Sequence, residues 1–309
     1  MKPDELWRNF ALGVEVDISG TFIYNGIKRL DELDNLGDPA DIFEVLYNLS
    51  VGIERLLKVA IVLIEYNHNL DIEEFEKSLI SHNVMELANR VNGIRNLSLS
   101  SVHREFLSLL SKFYKTHRYG RFSLKSVQNI KAEKDDFLQY LVKHLKIDVS
   151  NNGPFFPVYN TDQIRKFIGK IVFKITSSAF AVIGKQATEL NIYTDELRGD
   201  SKAIRVFYGE RLDFIDERIK KKELLLFLMH PQSRGNHIDL MRSFQALELD
   251  PEMAPSYIKA LINESYLHYV EGEIEELYTE VDDVAGRISF VEIIDNEFLS
   301  YDGEDDEEP

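Results

Sequence analysis

Asp38-Pro39-Ala-Asp-Ile42-Phe-Glu-Val45-Leu46-Tyr-Asn-Leu49-Ser-Val-Gly-Ile53-Glu54-Arg-Leu56-Leu57-Lys58-Val-Ala60-Ile61-Val-Leu-Ile64 decides the fold. Its apolar residues recur at steps of three and four, the spacing that puts side chains on one face of a helix. The spacing predicts one long amphipathic helix over roughly 39–67. Pro39 suits the first helical turn, and Asp38 is placed to cap the free amides ahead of it. Working outward, a shorter helix is expected over about 20–34, with Phe22, Ile23, Ile27 and Leu30 inward. A third is expected from Asp71 to Gly93 through Leu79, Val84, Leu87 and Val91, with Glu73 and Glu74 favouring its N-terminal dipole. A fourth is expected from about Ser98 to Arg118, with Val102, Phe106, Leu109, Leu110 and Phe113 inward. Short connections between long helices favour an antiparallel bundle, so the fold class read from the sequence is mainly α.

Asp148-Val-Ser-Asn-Asn-Gly-Pro-Phe-Phe-Pro157 collects turn formers and helix breakers and reads as a linker. The expected organisation is a bundle over 1–147, a linker at 148–157, a helical section over 158–300 and an acidic tail at 301–309. In the second section Ile164, Ile168, Ile171, Val172, Ile175, Ala179, Val182 and Ile183 form an apolar stripe on a long helix. Further helices are expected at about 194–230, 236–249 and 254–270. Arg287-Ile-Ser-Phe-Val-Glu-Ile-Ile294 reads as a strand.

The chain has 309 residues, a net charge of -17 and no cysteine, which excludes disulfides, thiolate metal ligands and a cysteine nucleophile. No cationic segment leads into an apolar run at the N-terminus, and Val59–Ile64 is too short to cross a bilayer. A soluble cytoplasmic protein with no membrane association is therefore expected. The Gly-rich phosphate loop, the dinucleotide glycine fingerprint and Gly-x-Ser-x-Gly are all absent, which disfavours common nucleotide-hydrolysing and hydrolase classes. No cofactor is implied. His230-Pro-Gln-Ser-Arg-Gly-Asn-His237 reads as a loop, since no third ligand accompanies its histidines on one helix face, and no metal site is expected.

Charge is unevenly spread. Residues 1–150 carry 19 Lys and Arg against 22 Asp and Glu, whereas residues 151–309 carry 17 against 31. Between Arg90 and Lys131, however, nine cations face Glu105 alone. Lys112, Lys115, Arg118, Arg121 and Lys125 would make one cationic stripe on a helix, with His117 and Tyr119 beside it. Arginine offers a planar fork that matches phosphate oxygens, and histidine exchanges a proton near neutral pH. His117, Arg118 and Arg121 are therefore the candidate catalytic residues. Lys112, Lys115, Tyr119, Lys125 and His103 are candidate substrate contacts. The plainer alternative is a solvated helix end with core aromatics. His82 either faces the same groove or is a partly buried, hydrogen-bonded histidine. The acidic tail Asp302–Pro309 reads as a solvated end, or as a segment that docks on a basic surface.

Three stretches carry a resemblance over about residues 20–145. They are Asn48-Leu-Ser-Val-Gly-Ile-Glu-Arg-Leu-Leu-Lys58, Lys77-Ser-Leu-Ile-Ser-His-Asn-Val-Met-Glu-Leu87 and Phe113-Tyr-Lys-Thr-His-Arg-Tyr-Gly-Arg-Phe122. In this order they resemble the HEPN superfamily of helical bundles found in prokaryotic toxins and antiviral systems. The first looks like that family's helix with a Glu and a Lys on one side. The third falls where the family places its functional loop. The resemblance implies metal-independent RNA cleavage in defence or stress response, usually in a dimer cleft. Active members carry an Arg a short way before a His. Here Lys112 stands in that place before His117, and Arg118 follows the histidine directly. Two readings stay open: an RNA-binding or RNA-cleaving effector with a rearranged site, or a non-enzymatic adaptor or homodimer scaffold. RNA, a second copy or a protein partner are the corresponding partners.

Overall fold

The computed structural model describes residues 6–67, 69–117, 131–147, 158–192, 201–209, 212–263 and 266–296. These residues form thirteen α-helices and no β-strand, so the protein is mainly α. The chain divides into two compact units, Met1–Phe214 and Ile215–Pro309.

In the first unit, a π-helical turn at Trp7–Ala11 leads into α1, Leu12–Glu32. The decisive stretch forms α2, Pro39–Glu65, and Asp38 accepts a hydrogen bond from the Ala40 amide at 2.8 Å. Helix α1 runs antiparallel to α2. Arg29 bonds Asp41, Gly26 meets Leu49, Ser19 Oγ donates to the Gly52 carbonyl at 2.7 Å, and Arg55 pairs with Glu15. Gly52 is required here, because a Cβ would stand 2.6 Å from Ile23 Cγ1. Ile42, Val45, Leu46, Leu49, Ile53 and Leu56 are fully buried, so α2 is the central helix of the core. Each such side chain contributes about 1.5–3 kcal/mol through burial.

The span expected as one helix from Asp71 to Gly93 is two: α3, Ile72–Ser78, and α4, Val84–Ile94. The break has a local cause. Asn83 caps α4 by accepting from the Glu86 amide, and Ser81 Oγ accepts from the Asn83 amide. These short polar side chains bond the backbone in a non-helical turn more readily than they sit mid-helix. Helix α5, Ser101–Lys112, continues into a π-helical turn at Phe113–His117. Helix α6 follows at Ala132–Leu145.

The segment after 148–157 belongs to the same unit. Leu36 N donates to the Val158 carbonyl and Asn160 N to the Asp34 carbonyl, both at 2.8 Å. The Asn160 side chain donates to the Leu30 and Leu33 carbonyls, closing the C-terminal end of α1. Helix α7, Asp162–Glu189, then lays Ile164, Ile168, Ile171, Val172 and Ile175 into the core formed by α2. Helix α8, Lys202–Tyr208, reaches α1 at Gly20, where an added Cβ would overlap Ala203. The division therefore falls after Phe214, beyond the linker read at 148–157. The apolar stripe of α7 completes the burial of α2. Residues 148–157 themselves lie outside the described residues, as does the tail at 301–309.

By length and composition α7 is also apolar enough to cross a membrane, with mean hydropathy 1.5 in its most apolar window. Its apolar stripe is occupied by the core of the unit.

The second unit contains α9, Ile215–Met229; α10, Asn236–Ser243; α11, Ala254–Ile262; α12, His268–Tyr278; and α13, Val284–Val291. The strand expected over Arg287–Ile294 is instead the end of α13 and the turn after it. Asp283 caps that helix by accepting from Gly286 N at 2.9 Å. A short apolar run does not distinguish strand from helix by period, and the cap settles it. The helix expected at 194–230 is broken between α8 and α9, and that expected at 254–270 between α11 and α12.

Candidate functional site

The cationic stripe begins at the end of α5. Lys112 Nζ lies 2.6 Å from Asp136 on α6, and Lys115 Nζ lies 3.5 Å from Glu86 on α4. Both lysines are more than half exposed, so these ion pairs are cheap to exchange for another anion. The backbone of His117 closes the π-helical turn. The His117 side chain, Arg118, Tyr119, Arg121 and Lys125 lie outside the described residues.

His103 sits at the other end of α5. Its Nδ1 accepts from the Ser100 amide at 3.2 Å and bonds Ser100 Oγ at 2.7 Å, a capping box. Burial, and then the charge of Lys174, pull its pKa below the ordinary histidine value. A rise of 1.5 Å per residue puts His103 about 14 Å along the helix from Lys112. The structure does not bring the two together.

What the structure does bring to the start of the stripe is a group on α2. Glu54 and Lys58, one turn apart, share a face, and Lys58 Nζ donates to Glu54 Oε1 at 2.6 Å. His82, in the turn ahead of α4, places Nδ1 at 3.1 and 3.2 Å from the two Glu54 oxygens. The Tyr114 ring stacks on the His82 ring with centroids 4.7 Å apart and planes 24° apart. Glu54 is buried, whereas the His82 side chain is 51% exposed.

Three elements hold this arrangement. Helix α2 supplies the carboxylate and its lysine. The Asn83 cap fixes the turn that carries His82. Ser111 Oγ accepts from the Met85 amide at 2.9 Å while donating to the Leu107 carbonyl at 2.8 Å, tying the start of α4 to the end of α5. Tyr114 is thereby set over His82, one residue before Lys115.

The sequence pairs Glu54 with Lys58 through the family resemblance but says nothing of Glu54 against His82. One signal was present: a carboxylate between Ile53 and Leu56, inside an otherwise apolar stripe. An ionisable group at a core position is seldom left without partners.

Elsewhere, Arg90 bonds Glu65 through two nitrogens, and the hydrogen bond to Glu65 raises its pKa. Glu105 on α5 binds both Lys143 and His144 of α6, and the bond to Lys143 is the largest influence lowering its pKa. Among the described residues no group of three or more His, Cys, Asp or Glu is placed to hold a metal ion. His230 lies in the loop between α9 and α10, and His237 bonds the Ile294 carbonyl. No family model matches the chain, and neither a curated protein nor a solved structure matches it.

Proposed function

We propose that the chain is a HEPN-like RNA-binding effector that cleaves RNA without a metal ion, in bacterial defence or stress response. In this reading Arg118 and Arg121 hold the scissile phosphate and His117 exchanges a proton. Lys112, Lys115 and Lys125 attract the flanking backbone, and Tyr119 offers a ring for a base to stack on. One observation carries the reading: in a chain of net charge -17, nine cations face one acid between Arg90 and Lys131. Such a cluster is the electrostatic footprint of a nucleic-acid contact, and the sequence sets His117 and Tyr119 within it.

The experiment is incubation of total cellular RNA with the purified full chain in EDTA, wild type against His117→Ala. Cleavage by the wild type that is lost in the variant supports the reading. An absence of cleavage by the wild type counts against it.

A second reading, an interaction or scaffold protein, is favoured by a separate observation. In the second unit Val270 is the one buried hydrophobic side chain among the described residues, while Leu226, Met229 and Leu261 are each more than 60% exposed. Exposed apolar surface on that scale marks contact with another macromolecule. Deleting residues 302–309 tests whether the acidic tail takes part. A role for the tail predicts a change in oligomeric state or partner binding at low salt that disappears as salt rises.

A further inference from the structure

We infer that two copies of the chain pair through their second units, with α9 of one copy lying antiparallel on α12 of the other. This rests on the interaction reading above and names its surface and its occupant.

The argument starts from a match in spacing between two exposed helix faces. On α9, Lys220, Leu224 and Phe227 stand four and then three residues apart, so they share one side of the helix. Leu224 is 62% and Phe227 54% exposed. Lys220 is exposed and has no ion-pair partner among the described residues. Glu217, one turn earlier on that side, already holds Lys221 at 4.0 Å. On α12, Tyr269, Gly272 and Glu276 stand three and then four apart and share one side in the same way. Tyr269 is 66% exposed, and Gly272 and Glu276 are exposed. A Cβ at Gly272 would meet nothing within 4 Å. Both faces therefore stay open within one copy, where α9 instead reaches α11 through Lys221 Nζ, which donates to the Ile262 carbonyl at 3.1 Å.

Run in opposite directions, the two series are complementary. Lys220 meets Glu276, Leu224 meets Gly272, and Phe227 meets Tyr269. Seven residues separate the ends of each series, about 10 Å along either helix, so one register satisfies all three points. The ends join a cation to a carboxylate and one aromatic ring to another. In the middle, the missing side chain of Gly272 leaves a hole that Leu224 fills as a knob. Glycine inside a helix is destabilising, and the close approach of a second helix offsets that cost. Leu226 and Met229 lie on the opposite side of α9 and stay outside the contact.

A second copy is the occupant because the chain carries both halves of the match. With a two-fold axis the contact is made twice and closes at two copies. The net charge of -16 on the second unit opposes self-association at long range. At about 0.15 M salt the screening length is about 8 Å, which removes most of that repulsion while Lys220 and Glu276, in contact, still attract.

The test uses the full chain at about 0.15 M salt, with oligomeric state read by sedimentation equilibrium over a range of concentrations. The wild type is expected to show a monomer–dimer equilibrium. Gly272→Leu is expected to abolish the dimer and leave the circular dichroism spectrum unchanged, because leucine is the better helix former and has free space in its own chain. Lys220→Glu and Glu276→Lys are each expected to weaken the dimer about tenfold or more by setting like charges opposite each other. Combined in one chain, the two substitutions are expected to restore it, which the loss of two merely structural residues would not allow.

A dimer that Gly272→Leu leaves intact overturns the inference, as does a combined charge variant no tighter than the single ones. A wild type that is monomeric throughout overturns it too. If that monomer binds a hydrophobic dye, the interaction reading stands with a different partner. If it does not, both fall.

Discussion

At the scale of single residues, hydrogen-bonding roles explain what spacing alone leaves open. Ser111 is one atom shared by two helices, accepting from Met85 N and donating to Leu107 O. Ser111→Ala leaves the Met85 amide without its acceptor. It should cost about 1–3 kcal/mol in a urea unfolding midpoint, with little change in slope. His103 gives a pH prediction with a definite sign. Its folded pKa is lowered, by burial first and by Lys174 second, so the folded state binds fewer protons than the unfolded state. Its contribution is fully present above the ordinary value near 6.5 and is lost as pH falls through the lower folded value. Protonation also removes the acceptor that caps Ser100. His103→Gln should therefore flatten the loss of thermal stability below about pH 6.5, as read in a melting series against pH. From the sequence His103 belongs to the positive island by position. The structure shows it serving a helix end, because a residue nine places along a helix from Lys112 is more than two turns away.

At the scale of elements, the strongest periodic signals were legible. The stripes over Ile42–Ile64 and Ile164–Ile183 lie on α2 and α7, and both reach the core. Where the reading and the structure part, short polar residues explain the difference. Ser81 and Asn83 break the helix expected through 71–93, and Asp283 starts a helix where a strand was expected. Those side chains compete with or complete the backbone ladder, and a count of apolar steps does not register them. Contacts between elements were less legible still. Nothing local to Gly20 foretells Ala203 against it, nor to Glu54 foretells His82, because each pair joins distant parts of the chain. Gly20→Ala tests the first of these. Its Cβ would overlap both Cα and Cβ of Ala203, so α8 must shift from α1 at a cost of about 1–3 kcal/mol. A fall in melting temperature of several degrees checks it.

At the scale of the whole molecule, the two units differ in kind. Met1–Phe214 has a continuous apolar core, and Ile215–Pro309 buries one hydrophobic side chain among its described residues. The second unit also carries eight Lys and Arg against 24 Asp and Glu, a net charge of -16, which leaves the first nearly neutral. The fragment 1–214 should unfold cooperatively on heating. The fragment 215–309 should melt without a sharp transition and bind a hydrophobic dye, because too little apolar surface is buried to offset chain entropy. Circular dichroism and dye fluorescence on the two fragments check this. The charge asymmetry was legible in the sequence, but the place of the division was not, because the turn chemistry at 148–157 falls inside the region that the core unites.

The proposed RNA reading puts a polyanion on the cationic segment of the near-neutral first unit, and the salt dependence of RNA affinity tests that proposal most directly. Each phosphate neutralised on a single strand contributes a slope of about -0.7 in log affinity against log salt. The account predicts measurable binding of single-stranded RNA at low salt, with a steep negative slope. In Arg118→Ala/Arg121→Ala the slope should be shallower by about 1.4. An RNA affinity that is absent at low salt, or a slope unchanged in the double variant, would contradict it.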